Sequence, residues 1–71
     1  MSMRCETAIF IRPESADKIA IRAKDHIPFV HKATVSGRFC RGEMQGYTVT
    51  LYEKGGTRRP LTETDLERIE Q

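Results

Sequence analysis

The sequence predicts a small, mostly β (α+β) domain, a four- to five-stranded antiparallel meander that curls into a partly open barrel with a short C-terminal helix. Three observations point there. Tyr47 to Glu53 alternates apolar and polar residues, the period of a strand with one buried face. Gly55-Gly56 follows at once and has the chemistry of a hairpin turn. Thr62 to Leu66 then carries the signals of a helix start. At 71 residues the chain is one domain, 1–71, with a small core, and dimerisation is a common support at this size. With 38% hydrophobic and 31% charged residues it falls among folded rather than disordered chains.

Arg4 to Arg12 is the first strand candidate. Ile9, Phe10 and Ile11 are consecutive, as in a strand covered on both faces, and Pro13 ends it. Two patterns fit the next segment. Ser15 can cap a helix with Ala16, Ile19, Ala20 and Ala23 along one stripe. Alternatively Lys18 to Lys24 is a strand with Ile19, Ile21 and Ala23 facing in. Ile21 fits only the strand, and the alternation tips the expectation that way. The other pattern makes the fold an α+β sheet with a helix at Ser15 to Lys24.

After Pro28, Phe29 to Ser36 reads as a strand with Phe29, His31, Ala33 and Val35 on one face and Val30, Lys32 and Thr34 on the other. Gly37 to Gly46 reads as a glycine-studded loop. In the next strand Tyr47, Val49 and Leu51 face one way, and Thr48, Thr50 and Tyr52 the other. A two-residue turn at Gly55-Gly56 sets Lys54 opposite Thr57, Glu53 opposite Arg58 and Tyr52 opposite Arg59. Pro60 keeps the last strand short and at an edge. Thr62 is the expected N-cap, Asp65 completes a near variant of the capping box, and Leu61 with Leu66 forms a hydrophobic staple. Leu66 and Ile69 face inward.

The net charge of +2 comes from 12 basic and 10 acidic residues, too even by itself to demand a polyanionic partner. Its distribution is uneven. Arg38, Arg41, Lys54, Arg58 and Arg59 crowd the middle, and Glu63, Asp65, Glu67 and Glu70 crowd the end. Met1 to Phe10 lacks the apolar run of a leader, and no stretch is apolar enough to span a membrane, so a cytoplasmic protein without membrane contact is expected. Cys5 and Cys40 then stand as reduced thiols, each a small buried hydrophobe.

Catalytic signatures are absent from this pattern. His26, His31, Cys5 and Cys40 lack the paired spacing of a zinc site. Cys40 between Phe39 and Arg41 has a nearby cation but no base placed by sequence. Gly37, Gly42 and Gly46 lead into a strand, unlike a phosphate loop that opens a helix. The chain reads as a non-enzyme, without metal or cofactor. What remains is a basic set with aromatic residues interleaved: Lys32, Arg38, Arg41, Lys54, Arg58 and Arg59, with Phe39 and Tyr52. Phosphate contacts beside stacking platforms have this composition. The ordinary alternative is a solvated surface with Arg58 held by Glu53 and Arg59 by Tyr52.

From Thr34 onward a valine, a glycine-rich loop and a glycine leading into a strand succeed one another as Val35, Gly37, Gly42 and Gly46, then Val49 and Leu51. A hairpin, a short strand and "DLERI" at Asp65 to Ile69 close the segment. Over residues 34–69, about half the chain, this resembles SH3-like small barrels of the KOW type. The resemblance implies an SH3-like partly open barrel and contact with nucleic acid; the loop Arg38 to Gln45 is longer than in that pattern. Two classes of function are therefore expected. One is a non-catalytic module contacting nucleic acid through the basic loop and hairpin. The other is a protein-binding accessory factor, such as an inhibitor of the phage or plasmid type acting on a host protein, with the edge near Pro60 or the acidic helix as its surface. A homodimer through Cys5 to Ile11 is a third arrangement.

Overall fold

The computed structural model describes residues 7–70. The elements run α1 (Pro13–His26), β1 (Val30–Cys40), β2 (Glu43–Glu53), β3 (Arg58–Pro60) and α2 (Glu63–Glu70). The three strands form one antiparallel sheet in the order β1-β2-β3. This is a small α+β domain with a C-terminal helix, as expected, but with three strands rather than four or five and no barrel. α1 lies across β1 and β2 and touches α2. Ala16, Ala20 and Ala23 of α1, Val49 and Leu51 of β2, Leu61 and Ile69 make one buried core. α1 therefore covers one face of the sheet, and α2 packs against α1 with Ile69 in the same core.

The strand expected at Lys18–Lys24 is a helix, and Ser15 is not its cap. Pro13 occupies the first turn with its φ preset for helix, and Arg12 sits at the N-cap without a side-chain bond. The alanine stripe decides the outcome. Ala16 and Ala23 are fully buried, and their small side chains let the helix lie close on the sheet. Ile21, the residue that favoured a strand, points outward and is 66% exposed.

The first strand is also corrected. Arg4 to Glu6 lie outside the described residues, and Thr7 to Phe10 make only two separate bridges. Thr7 pairs with Thr62, while Phe10 exchanges backbone bonds of 2.8 and 2.7 Å with Tyr47. The partner changes from one segment to another, so no regular strand forms. Gly46 makes this crossing sterically feasible. It has φ 146°, and a Cβ there would lie 2.7 Å from the Phe10 carbonyl oxygen.

The loop expected at Gly37–Gly46 is mostly strand. β1 and β2 meet in a tight turn at Arg41-Gly42, both left-handed with φ 53° and 82°. Two consecutive positive φ values fit the twist of a hairpin. A register shift between Val30 and Lys32 moves Val30 onto the helix side with Ala33 and Val35, which corrects the face assigned to it. The faces expected for β2 are found: Val49 and Leu51 are fully buried, and Tyr52 is on the other side.

The second hairpin is shifted by one residue. The Glu53 N–H donates to the Thr57 carbonyl, so the loop is Lys54-Gly55-Gly56, closed by Gly56 at φ 89°. Tyr52 therefore faces Arg58, and Leu51 faces Arg59. A slip of one residue exchanges the faces of every side chain beyond it. The pairs Glu53–Arg58 and Tyr52–Arg59 are replaced accordingly.

Candidate nucleic-acid interface

The sheet face away from the helices carries the candidate site. Strand alternation places Lys32, Thr34 and Ser36 of β1 on it, opposite Tyr52, Thr50 and Thr48 of β2. On the far side Arg58 lies opposite Tyr52, and Pro60 opposite Thr50. Ser36, Thr50, Tyr52, Arg58, Arg59 and Pro60 line one shallow cleft of about 360 Å³. The Lys32 ammonium sits 5.4 Å from the centre of the Tyr52 ring, close enough for cation–π attraction. At the distal end Arg38 pairs with Gly46 on the same side by alternation. The face thus holds cations, hydroxyls and one aromatic ring; by the same alternation its one strand carboxylate, Glu43 opposite Cys40, lies at the distal end beyond Arg38, away from Lys32, Tyr52 and Arg58.

Two acidic groups, Glu53 and Asp65, are engaged on the opposite side. Arg59 follows Leu51 onto the helix side and makes a bidentate pair with Asp65, at 2.7 and 3.3 Å. Its Nε lies 3.4 Å from the Glu53 carboxylate. Asp65 also accepts from the Thr62 backbone N–H at 3.1 Å and the Thr62 hydroxyl at 2.9 Å. The Asp65 N–H in turn donates to the Thr62 hydroxyl oxygen at 3.3 Å, so the expected capping box is complete. Burial alone would raise the Asp65 carboxyl. The hydrogen bonds from Arg59 and Thr62 outweigh it and hold the group below its ordinary value. The same bond to Asp65 raises Arg59.

The structure divides the eight expected binding residues. Lys32, Tyr52 and Arg58 are neighbours on the open face, and Lys54 is exposed in the adjoining turn. Arg38 stands six residues along β1 from Lys32, about 20 Å away at strand rise. Phe39 and Arg41 belong to the β1–β2 hairpin end, where the Phe39 ring and the Met44 methyl cover Gly37. Arg59 is withdrawn into its ion pairs. Thr34, Thr48, Thr50 and Ser36, which share this face, were not among the expected residues. The alternation Thr48, Thr50, Tyr52 was the signal that could have found them.

Cys40, expected to be buried, is an exposed free thiol at the end of β1, where the neighbouring turn leaves nothing to cover it. Among the described residues no three His, Cys, Asp or Glu side chains converge as metal ligands. No helix among them is long and apolar enough to cross a membrane. The chain matches no family model, no curated protein and no solved structure.

Proposed function

We propose that the protein is a non-catalytic module that binds single-stranded nucleic acid on its open sheet face. The observation that carries this is the sorting of charge between the two faces. Lys32 and Arg58 flank Tyr52 on a stretch of the open face without a carboxylate, Glu43 lying at its distal end beyond Arg38, while Glu53 and Asp65 are taken up by Arg59 on the other side. The near-even total charge thereby conceals a cationic surface. Tyr52 lies at the centre of the basic cluster, between Lys32 and Arg58. A base stacking on its ring would displace the Lys32 ammonium, which then meets a backbone phosphate. The hydroxyls of Thr34, Thr48 and Thr50 add donors along the path. Single strands fit better than a duplex here, because the sheet face with its half-buried Tyr52 ring offers a stacking platform and no element shaped to enter a groove.

The salt dependence is the test. Four phosphate contacts, from Lys32, Arg38, Lys54 and Arg58, give a log–log slope of about −2.8 for a single strand, so affinity falls roughly 50-fold between about 50 and about 200 mM salt. Replacing Lys32 and Arg58 together by alanine removes two contacts and brings the slope to about −1.4. Fluorescence anisotropy with a labelled oligonucleotide measures both. Equal affinity and slope in wild type and variant dismiss the proposal.

A protein-binding role is the second reading, and one observation favours it. Phe39 and Met44 stand exposed side by side at the hairpin end, 64% and 46% accessible. Recovery of one partner protein after nuclease treatment, lost in Phe39→Ser, would support that role over the first.

A further inference from the structure

The outer edge of β1 is unpaired among the described residues, and it is built unevenly. β1 is 11 residues long and pairs only with β2. Register irregularities occur between Val30 and Lys32 and between Arg38 and Phe39. Bulges and charged residues of this kind protect sheet edges from pairing. Here the β1 bulge at His31 and Lys32 lies at one end and Arg38 at the other, and they leave Ala33-Thr34-Val35-Ser36-Gly37, an uncharged run with two β-branched residues, between them. Beside that run α1 and the sheet enclose a groove lined by Asp17, Ala20, Ile21 and Lys24 of the helix and by Ala33 and Val35 of the strand.

We infer that this edge and groove are the interface of a twofold homodimer, in which β1 pairs antiparallel with β1 of a second copy and joins the two sheets. The axis stands perpendicular to the sheet at Thr34. Ala33 then faces the second copy's Val35, and Lys32 faces its Ser36, so no like charges are directly opposed. The same axis passes near the middle of the helix segment in the groove, between Ala20 and Ile21. Asp17 of each copy thereby meets Lys24 of the other, twice over. The spacing agrees. Strands lie about 4.8 Å apart, and a helix lying over the gap between β1 and β2 has its axis about 4.8 Å from the dimer axis. The two α1 axes are then about 10 Å apart, a normal packing distance. Ile21, otherwise left in solvent, fills the seam between them. The second copy is the one occupant whose charge pattern is fixed by the surface itself, and that pattern is self-complementary. The open face of each copy remains free, so the dimer stands or falls independently of nucleic-acid binding.

Sedimentation equilibrium from low to several hundred micromolar tests the inference, with circular dichroism to check the fold of each variant. Wild type is expected to sediment as a monomer–dimer equilibrium of the 8.1 kDa chain. Asp17→Lys alone and Lys24→Asp alone each weaken the dimer roughly tenfold at low salt, and the double swap restores it. Ile21→Glu, at a position exposed in the monomer, abolishes the dimer. A wild type that stays monomeric throughout overturns the inference. So does a dimer that is indifferent to Ile21→Glu, or one that the double swap fails to restore.

Discussion

Replacing Asp65 by alanine removes two supports with one substitution. The first is the capping box: the Thr62 N–H and hydroxyl lose their acceptor at the start of α2. Loss of such a cap costs about 1 kcal/mol. The second is the ion pair, in which Arg59 loses a bidentate carboxylate. Hydrogen bonds to charged groups are worth roughly 1.5–3 kcal/mol. The Arg59 side chain is 34% exposed and keeps Glu53 within reach, so screening reduces the loss to about 1 kcal/mol. Together the loss is about 2 kcal/mol, a large share of the roughly 4–10 kcal/mol expected for a chain of this size. For a domain this small the melting temperature falls by about 8–16 °C. Urea denaturation of Asp65→Ala, Arg59→Met and the double variant separates the two supports. In the Arg59→Met background the Asp65 substitution costs about 1 kcal/mol less. A loss below about 0.5 kcal/mol for Asp65→Ala, or no coupling between the sites, refutes the account of how α2 is anchored.

Three further outcomes follow from the same geometry. Gly46→Ala destabilises by about 2 kcal/mol or more, because its methyl meets the Phe10 carbonyl, whereas Gly42→Ala costs about 1 kcal/mol, having positive φ but open space; thermal melts compare them. Arg41→Asn raises stability by about 0.5–1 kcal/mol, since asparagine tolerates φ 53° better than arginine does; an unchanged or lower urea midpoint contradicts this. Stability also depends on acid. The Asp65 carboxyl lies lower in the folded chain than in the unfolded one, where it is about 3.9, so its contribution is present above that value and is lost as pH falls through the folded value; a pH series of urea midpoints shows the decline, and Asp65→Ala flattens it.

The elements legible in the sequence were those whose signals are local. The alternation of Tyr47 to Glu53 survives intact because one side of that stretch is fully buried by the core. The capping box at Thr62 and Asp65 needs only three residues of spacing and closes as expected. α1 was obscured because its buried stripe is made of alanine, which gives little hydrophobic contrast, while its large exposed apolar residue is Ile21. The Arg41-Gly42 turn was hidden because arginine rarely takes positive φ. The site was half legible. The basic and aromatic residues were identifiable as a set, but their division between faces turned on whether Gly55-Gly56 closes a loop of two residues or three. That choice decides which of Arg58 and Arg59 meets Tyr52, and nothing in the residue types themselves selects it.

The most direct measurement of the central claim is a two-dimensional NMR titration of the labelled protein with a short single-stranded oligonucleotide at low salt. A nucleic-acid module using the open face predicts shifts at Lys32, Thr34, Thr50, Tyr52 and Arg58, reversed by added salt, with α1 and α2 unmoved. Shifts confined to the helices, or an unchanged spectrum at saturating oligonucleotide, contradict it.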